Sequence, residues 1–310
     1  MKWGKTMSYV CTNFDFKVNP DPKYTELKLN PQDFYVEPFK VIDNLYYAGT
    51  KMNGGWLIDT GEGLIMIDTG YLDLAPLLIN SIWELGFNPK DIKMIFHTHK
   101  HSDHTGATKV LKGLSGAKTL MGRADGEASV ARIRKQGPAI TRFESDVLLD
   151  DGDEFRLGNT VIRCAHIPGH SRGCMAYLFD VHEDSKTYTV CIPGDIAINT
   201  LHKNYITQWD IYPEAQQDFL NWTEKAMNWH VDITIGPHTQ TTGTLAKREY
   251  MLSHPGENPF INPDEWQEVL RGVRAQLLKN MKLEEEGRMW LDCSTPNQKL
   301  HVSDDVTDVE

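Results

Sequence analysis

A dense cluster of potential metal ligands constrains the fold of this chain more than any other feature of its sequence. The spacing H-x-H-x-D-H brings four such side chains into six residues: His99, His101, Asp103 and His104. Imidazole and carboxylate groups are the side chains that bind zinc, iron or manganese, and packing alone does not require them at this density. The sequence therefore predicts a metal site on a short segment that the fold must hold in place.

The segment that precedes the cluster predicts where the ligands lie. Residues 93–96 (KMIF) are rich in large apolar side chains and predict a buried strand that ends at His97, whereas residues 107–114 predict a short helix. The ligands then lie on the loop that leaves a strand, where open α/β sheets place functional groups. His97 is outside the spacing pattern, and we expect it to support the structure rather than bind metal.

The order of the ligands favours two metals over one. Alternate residues of an extended loop point the same way, so His99 and His101 can share one position. Asp103 and His104 follow in the first turn of the helix and turn towards a neighbouring position. This arrangement suits two adjacent ions.

Later segments repeat the pattern of strand, turn and ligand. His170 lies in IPGHS and His238 in IGPHT, each after a predicted strand. Asp195 lies in CIPGD, and a carboxylate with two oxygens can bridge two cations, although a turn-forming aspartate is the alternative reading. Asp68 also ends a predicted strand, and we expect it to orient a ligand histidine from behind.

Composition narrows the class of protein. The chain has 310 residues, 40% of them hydrophobic, which is enough for one compact enzyme. Its 43 acidic and 32 basic residues give a net charge of −11, which disfavours nucleic acid and anionic membrane surfaces as partners. The five scattered cysteines indicate reduced thiols. The start of the chain lacks a secretory pattern and no apolar run is long enough to span a membrane, so we expect a cytoplasmic protein.

Short predicted strands alternate with helices along the chain. Strand-like segments are residues 41–49, 55–60, 63–68, 118–122, 153–157, 160–166, 175–181, 187–192 and 232–235. Helical periodicity marks residues 74–86, 213–229 and 265–286. The polar stretch 124–145 contains Gly137 and Pro138, and we expect it to be a surface excursion over an active site.

The ordered motifs resemble those of the metallo-β-lactamase superfamily. The likeness rests on H-x-H-x-D-H followed by Thr105-Gly106, then on PGHS (168–171), GD (194–195) and GPH (236–238). The chain is most similar to the third subclass of metallo-β-lactamases, which shares Tyr212-Pro213, Asp218-Phe219 and NPFINP (258–263). The similarity extends from about residue 41 to about residue 278.

This resemblance implies a fold and a ligand assignment. The fold is an α/β αββα sandwich of two mixed β-sheets with helices on the outer faces, in a domain of residues 41–283. An N-terminal extension (1–40) and an acidic C-terminal tail (284–310) flank it. The implied dinuclear centre has a first metal on His99, His101 and His170, and a second on Asp103, His104 and His238.

The resemblance leaves the role of Asp195 open. In the wider superfamily, including glyoxalase II and acyl-homoserine lactone lactonases, the aspartate of this motif bridges both ions. In the third lactamase subclass the bridge is absent, and a serine near the same point contacts water. The triplet Gly194-Asp195-Ile196 favours the bridging version, whereas the flanking segments favour the lactamase version.

Together these features predict a metal-dependent hydrolase that acts on a small molecule. Two divalent ions about 3.5 to 4 Å apart share a water whose pKa falls to about 7, so that a nucleophile is present at neutral pH. Asp103 is the expected catalytic residue, which passes a proton to the leaving group. The expected ions are zinc, with iron or manganese as alternatives. Asn204 and Tyr205 are candidates for stabilising an oxyanion.

The expected substrate has an amide, lactam, lactone or related acyl bond. The alternatives are a β-lactamase proper, a mononuclear iron oxidoreductase of the persulfide dioxygenase kind, and a non-catalytic metal-binding protein. The lack of an export signal favours a cytoplasmic hydrolase over an exported lactamase. The sequence leaves the oligomeric state open.

Overall fold

A seven-stranded sheet forms one half of the sandwich. The computed structural model describes residues 30–183, 185–203, 212–288 and 290, so Asn204, Tyr205 and most of both termini lie outside the described residues. The strands follow one another in chain order: β1 (Phe39–Ile42), β2 (Leu45–Tyr47), β3 (Trp56–Asp59), β4 (Leu64–Ile67), β5 (Ile92–His97), β6 (Lys118–Gly122) and β7 (Val147–Leu149). The first four form an antiparallel meander, and β4 to β7 are parallel. The meander was predicted with three strands, because the turn between β1 and β2 lies inside the segment 41–49 that was predicted as one strand.

Helices make the parallel crossovers of this sheet, because parallel neighbours need a long connection. They are α1 (Ala75–Glu84), α2 (Ser102–Thr105), α3 (Thr108–Ser115) and α4 (Arg123–Gln136). The carboxyl ends of β4, β5 and β6 consequently lie at the same edge of the sheet. Asp68 follows β4, and the H-x-H-x-D-H cluster follows β5.

A five-stranded sheet forms the other half. Its strands lie in the order β12-β11-β10-β9-β8, with these bounds: β8 (Glu154–Leu157), β9 (Thr160–His166), β10 (Met175–Glu183), β11 (Lys186–Ile192) and β12 (Ile233–Thr234). Among the described pairings of this sheet, only β11 and β12 are parallel, and α5 (Ala215–Ala226) lies between them in sequence. Two further helices follow: α6 (Thr244–Ser253) and α7 (Glu265–Glu285).

The alternation of side chains along the strands builds the layers. Trp56 and Ile58 of β3 point into a core shared with the second sheet, whereas Leu57 between them packs with the residues of α1 and α3. The outer face of the second sheet packs against α5 and α7 through residues such as Phe219 and Trp266. The predicted αββα sandwich is confirmed. In the described ranges, no helix is both long and apolar enough to cross a bilayer.

The stretch 124–145 differs from its prediction. Much of it is the helix α4 instead of an irregular excursion. Asp125 and Gly126 are its only buried residues, so α4 lacks the apolar stripe by which an amphipathic helix is recognised in a sequence. Its surface position was predicted, and its helicity was not. The strand β7 and the helix α6 were also missed.

Candidate metal centre

Three imidazoles from two loops form what we call the first donor set: His99, His101 and His170. His101 Nδ1 lies 2.9 Å from His99 Nε2 and 3.1 Å from His170 Nε2. His99 and His101 come from the loop after β5, and His170 comes from the loop after β9. Gly169 has a φ of +147°, which favours glycine immediately before His170. The two sheets therefore each contribute to this donor set.

The second donor set consists of Asp103, His104 and His238. His104 Nε2 lies 3.1 Å from Asp103 Oδ2 and 3.2 Å from His238 Nε2, and Asp103 Oδ2 lies 3.5 Å from His238 Nε2. Asp103 and His104 lie in the short helix α2, and His238 follows β12. All the residues that the sequence predicted as ligands are thus brought together at one edge of the sandwich.

Asp195 lies between the two donor sets. Its Oδ2 is 3.3 Å from His170 Nε2 and 3.3 Å from His238 Nε2. Its Oδ1 accepts a hydrogen bond of 2.8 Å from the backbone N–H of Ala197, which fixes the orientation of the carboxylate. One oxygen of Asp195 therefore faces a histidine of each donor set.

Hydrogen bonds from Nδ1, the ring nitrogen that faces away from the donor sets, orient His104 and His170. Asp68 has a φ of +58°, and its Oδ2 accepts a hydrogen bond of 2.8 Å from His104 Nδ1. The same carboxylate accepts hydrogen bonds from the N–H and Oγ1 of Thr98 at 2.8 and 2.7 Å. His170 Nδ1 lies 3.1 Å from the carbonyl oxygen of Ala197, to which only a protonated nitrogen can donate. In both histidines, Nδ1 carries a proton for this bond, and the ring is held with Nε2 towards the donor sets.

The protonation states of the first donor set suit a metal ligand. Burial, together with the neighbouring imidazoles, lowers the pKa of His99 well below its usual value, and burial lowers that of His101. Burial alone would raise the pKa of Asp195, but His170 and His238 lower it. The neutral imidazoles of His99 and His101 and the ionised carboxylate of Asp195 converge with the imidazole of His170, a donor set that fits a divalent cation such as zinc.

In the second donor set, protons compete with a cation, because the pKa values of His104 and His238 are raised. Burial alone would raise the pKa of Asp103, but His104 lowers it well below its usual value. Burial would likewise lower the pKa of His104, but Asp103 and Asp68 raise it well above its usual value. Since His104 Nε2 must be deprotonated to bind a metal, cation and proton compete for it. A carboxylate and two imidazoles again fit a divalent cation.

Asn53 is a residue of the site that the sequence analysis missed. It is buried between β2 and β3, and its Nδ2 lies 3.2 Å from Asp103 Oδ2 and 3.4 Å from His238 Nδ1. An isolated β-bridge joins Asn53 to His238, and the N–H of Gly54 donates to the carbonyl of Pro237 at 2.7 Å. Asn53 precedes two glycines in the sequence, which suggests a turn but gives no sign of this contact.

Two further residues lie outside the cluster: His97, for which the sequence predicted a supporting role, and Trp56. His97 is buried, with Nε2 2.7 Å from Thr108 Oγ1 and Nδ1 3.2 Å from the carbonyl of Leu120, which agrees with a supporting role. Trp56 is in the core between the sheets, and its Nε1 donates to the carbonyl of Gly236 at 3.0 Å. This bond supports the strand end that precedes His238.

Comparisons with known proteins place these observations in a family. Residues 55–238 match the model of the metallo-beta-lactamase superfamily. The chain is 28% identical to BJP-1, a subclass B3 metallo-beta-lactamase of Bradyrhizobium japonicum, with a TM-score of 0.74 over 84% of this chain and 98% of that chain. It is 27% identical to LRA-12, a class B3 di-zinc metallo-beta-lactamase from an Alaskan soil metagenome, with a TM-score of 0.68 over 80% of this chain and 95% of that chain.

A curated relative with a different activity also matches. A hydroxyacylglutathione hydrolase of Methylococcus capsulatus is 36% identical over 98 residues, which cover 32% of this chain and 30% of that enzyme. The chain spans less than half the length of the curated relatives that it matches.

Proposed function

The chain belongs to the metallo-beta-lactamase superfamily, and from this premise we propose that it is a metal-dependent hydrolase of a small molecule. The scissile bond is an amide, lactam, lactone or related acyl bond. One observation carries the proposal: two adjacent donor sets of imidazole and carboxylate groups face each other across Asp195. A donor arrangement of this kind serves hydrolysis in two-metal sites.

The contacts of the cluster support the ligand assignment that the resemblance implies. His99, His101 and His170 would hold one ion. Asp103, His104 and His238, whose ligand atoms lie 3.1 to 3.5 Å apart, would hold the second. Asp195 would contribute to both, because its Oδ2 is equally close to His170 and His238. Zinc fits the predominance of imidazole nitrogen, and a di-zinc enzyme is among the similar structures.

Asp103 is the residue that we propose to move the proton. When bound, the two ions supply Lewis acidity that lowers the pKa of water and polarises a carbonyl. The side chain of Asp103 is 20% exposed, whereas that of Asp195 is 6% exposed. A carboxylate oxygen of Asp103 can therefore reach a substrate, accept the proton of the attacking water and return it to the leaving group. Asn53 Nδ2 donates to Asp103 Oδ2 and holds the carboxylate in this place.

A β-lactamase proper is the second candidate. The structural similarity to BJP-1 covers 98% of that enzyme, which favours β-lactamase activity. The carboxylate of Asp195 between the donor sets favours instead an esterase, thioesterase or lactonase, since the sequence motifs relate this carboxylate to glyoxalase II and the lactonases. We therefore rank acyl ester, thioester and lactone substrates ahead of β-lactams.

A metal analysis joined to a substrate screen tests the proposal. The purified chain, loaded with zinc, is assayed for metal content and then against lactams, lactones, esters, thioesters and amides, with each product identified. We expect two ions per chain and hydrolysis of at least one class. The matched control is D103A, which is expected to be inactive on the same substrate. One tightly bound iron per chain, or no product from any class, would overturn the hydrolase proposal.

A further inference from the structure

A buried carboxylate outside both donor sets ties together the two loops that carry the first donor set. Asp125 lies in the first turn of α4 and has no exposed surface. Its Oδ2 accepts hydrogen bonds from the N–H of Lys100 at 3.0 Å and from Ser171 Oγ at 2.6 Å. Its Oδ1 accepts one from the N–H of Gly173 at 3.0 Å. Two of these donors are backbone groups, so the contacts do not depend on flexible side chains.

The donors are sequence neighbours of the first donor set. Lys100 lies between His99 and His101, and Ser171 follows His170 directly. The first pair of histidines comes from the seven-stranded sheet and His170 from the five-stranded sheet. Asp125 therefore joins the two sheets at the point where their ligands meet.

The backbones around Asp125 are in contact and leave little room for adjustment. A Cβ atom on Gly173 would lie 2.4 Å from the backbone nitrogen of Asp125. A Cβ atom on Gly122, which precedes α4, would lie 2.0 Å from the carbonyl oxygen of Gly173. The loop of His170 is thus seated directly on the start of α4, and both glycines are required for this approach.

The chemistry of these contacts requires a carboxylate. An ionised carboxylate only accepts hydrogen bonds, which suits two buried N–H groups and a hydroxyl. The ammonium group of Lys100 lies 3.6 Å from Asp125 Oδ1 and balances part of the charge. An asparagine has the same shape, but its NH₂ group would face the backbone N–H of either Lys100 or Gly173, and two donors cannot bond each other. The substitution would therefore remove the hydrogen bond to one of the two loops.

We propose that Asp125 is a positioning residue that sets the separation of His101 and His170, and with it the metal affinity of the first donor set. This inference rests on the proposed function, because it presumes that the first donor set binds an ion. Asp125 contacts none of the seven proposed ligands among the described contacts, and it acts only through the two loops.

The experiment compares Asp125→Asn with a matched control, Asp146→Asn. Asp146 also accepts hydrogen bonds from a backbone N–H and a hydroxyl, both of Thr119, and pairs with Lys112, but it joins other parts of the fold. Stepwise Co(II) and Zn(II) affinities are measured for the full chain, together with the visible spectrum of the Co(II) form. In D125N, we expect one equivalent to bind about 10- to 100-fold more weakly, as when a supporting hydrogen bond of a ligand is lost. In D146N, both equivalents should bind as in the wild type.

Ser171→Ala gives a milder variant if D125N folds poorly. It removes only the bond between Ser171 Oγ and Asp125, so we expect it to weaken the same equivalent by a smaller factor. The double variant should bind no more weakly than D125N alone, because both changes act on one contact.

The outcomes separate this inference from the proposed function. Suppose that the wild-type protein binds two ions and hydrolyses a substrate. If D125N and S171A then bind both equivalents as tightly as the wild type does, the inference about Asp125 is overturned and the proposed function stands. An equal loss in D146N also overturns it, because the effect is then one of general stability. A wild-type chain that binds neither metal overturns both.

Discussion

Replacing Gly122 with alanine tests how tightly the loop of His170 is fixed. Gly122 ends β6, and its φ of −52° is open to any residue, so the substitution introduces no backbone strain. The added Cβ would lie 2.0 Å from the carbonyl oxygen of Gly173, whereas real Cβ contacts essentially never fall below 3.0 Å. The segments of Gly122 and Gly173 must therefore move apart by about 1 Å. A misplacement of this size at an active site costs about 100-fold in rate.

Rotation of a side chain cannot relieve the closest contact, because the carbonyl oxygen of Gly173 belongs to the backbone. The N–H of Gly173 is bound to Asp125, and the N–H of Met175 donates to the carbonyl of Thr98 at 2.8 Å. Moving the segment of Gly173 away from Gly122 therefore strains these hydrogen bonds between the sheets and displaces His170 from His101. Overpacking of this kind costs about 1–3 kcal/mol of the free energy of unfolding. For G122A we expect that loss, weaker binding of one metal equivalent and a kcat about 100-fold lower.

The assay combines urea unfolding, metal titration and steady-state kinetics on the substrate found in the screen. Gly113→Ala is the matched control: Gly113 lies in the exposed part of α3, and its added Cβ meets nothing within 4 Å. We expect G113A to be about 0.5–1 kcal/mol more stable than the wild type, with unchanged kinetics. A G122A protein with the stability, metal affinity and kcat of the wild type would refute the reasoning.

Three further predictions follow from the site and the core. Asp103→Ala should remove nearly all turnover and deplete one metal while the circular dichroism spectrum stays unchanged; retained turnover with both metals bound would contradict its role. Chelation should lower the Tm, since ions that bind only the folded state stabilise it by about 4 kcal/mol at 1,000 times their dissociation constant, and an unchanged Tm in calorimetry would contradict a resident metal. Lys247→Met should cost about 3–5 kcal/mol at pH 7, because it leaves the carboxylate of Glu265 buried without the Nζ that lies 2.6 Å away. Burial raises the pKa of Glu265, so at low pH the folded protein holds this carboxyl in its neutral form. The loss of stability in K247M, measured by urea unfolding, should therefore shrink as the pH falls through the raised pKa. The double variant K247M/E265L should recover most of the stability, and a double variant as unstable as K247M would contradict this.

The ligands themselves were predictable from the sequence because each follows the end of a strand. His99, His170 and His238 come after apolar segments whose period identifies them as strands, and the carboxyl ends of such strands gather at one edge. The helix α4 was not predictable in the same way. Its buried surface is confined to Asp125 and Gly126, so no apolar period marks it as a helix.

The contacts between ligands depended on how the two sheets pack. The sequence identified Asp195 as a candidate bridge and left a turn-forming role open, whereas the fold brings its Oδ2 to 3.3 Å from both His170 and His238. Asn53 and Asp125 had no signal of their own in the sequence, because each acts on partners 25 to 185 positions away.

The sequence by itself determined which side chains can donate to a metal, on which strand ends they lie and in which order they come. These properties are local: they depend on residue type and on the period of the apolar positions. The tertiary structure alone decided which donors meet, which carboxylate lies between them and which buried groups hold their loops. Those contacts are set by the packing of two sheets to within an ångström, and a local pattern carries no information about such distances between distant segments.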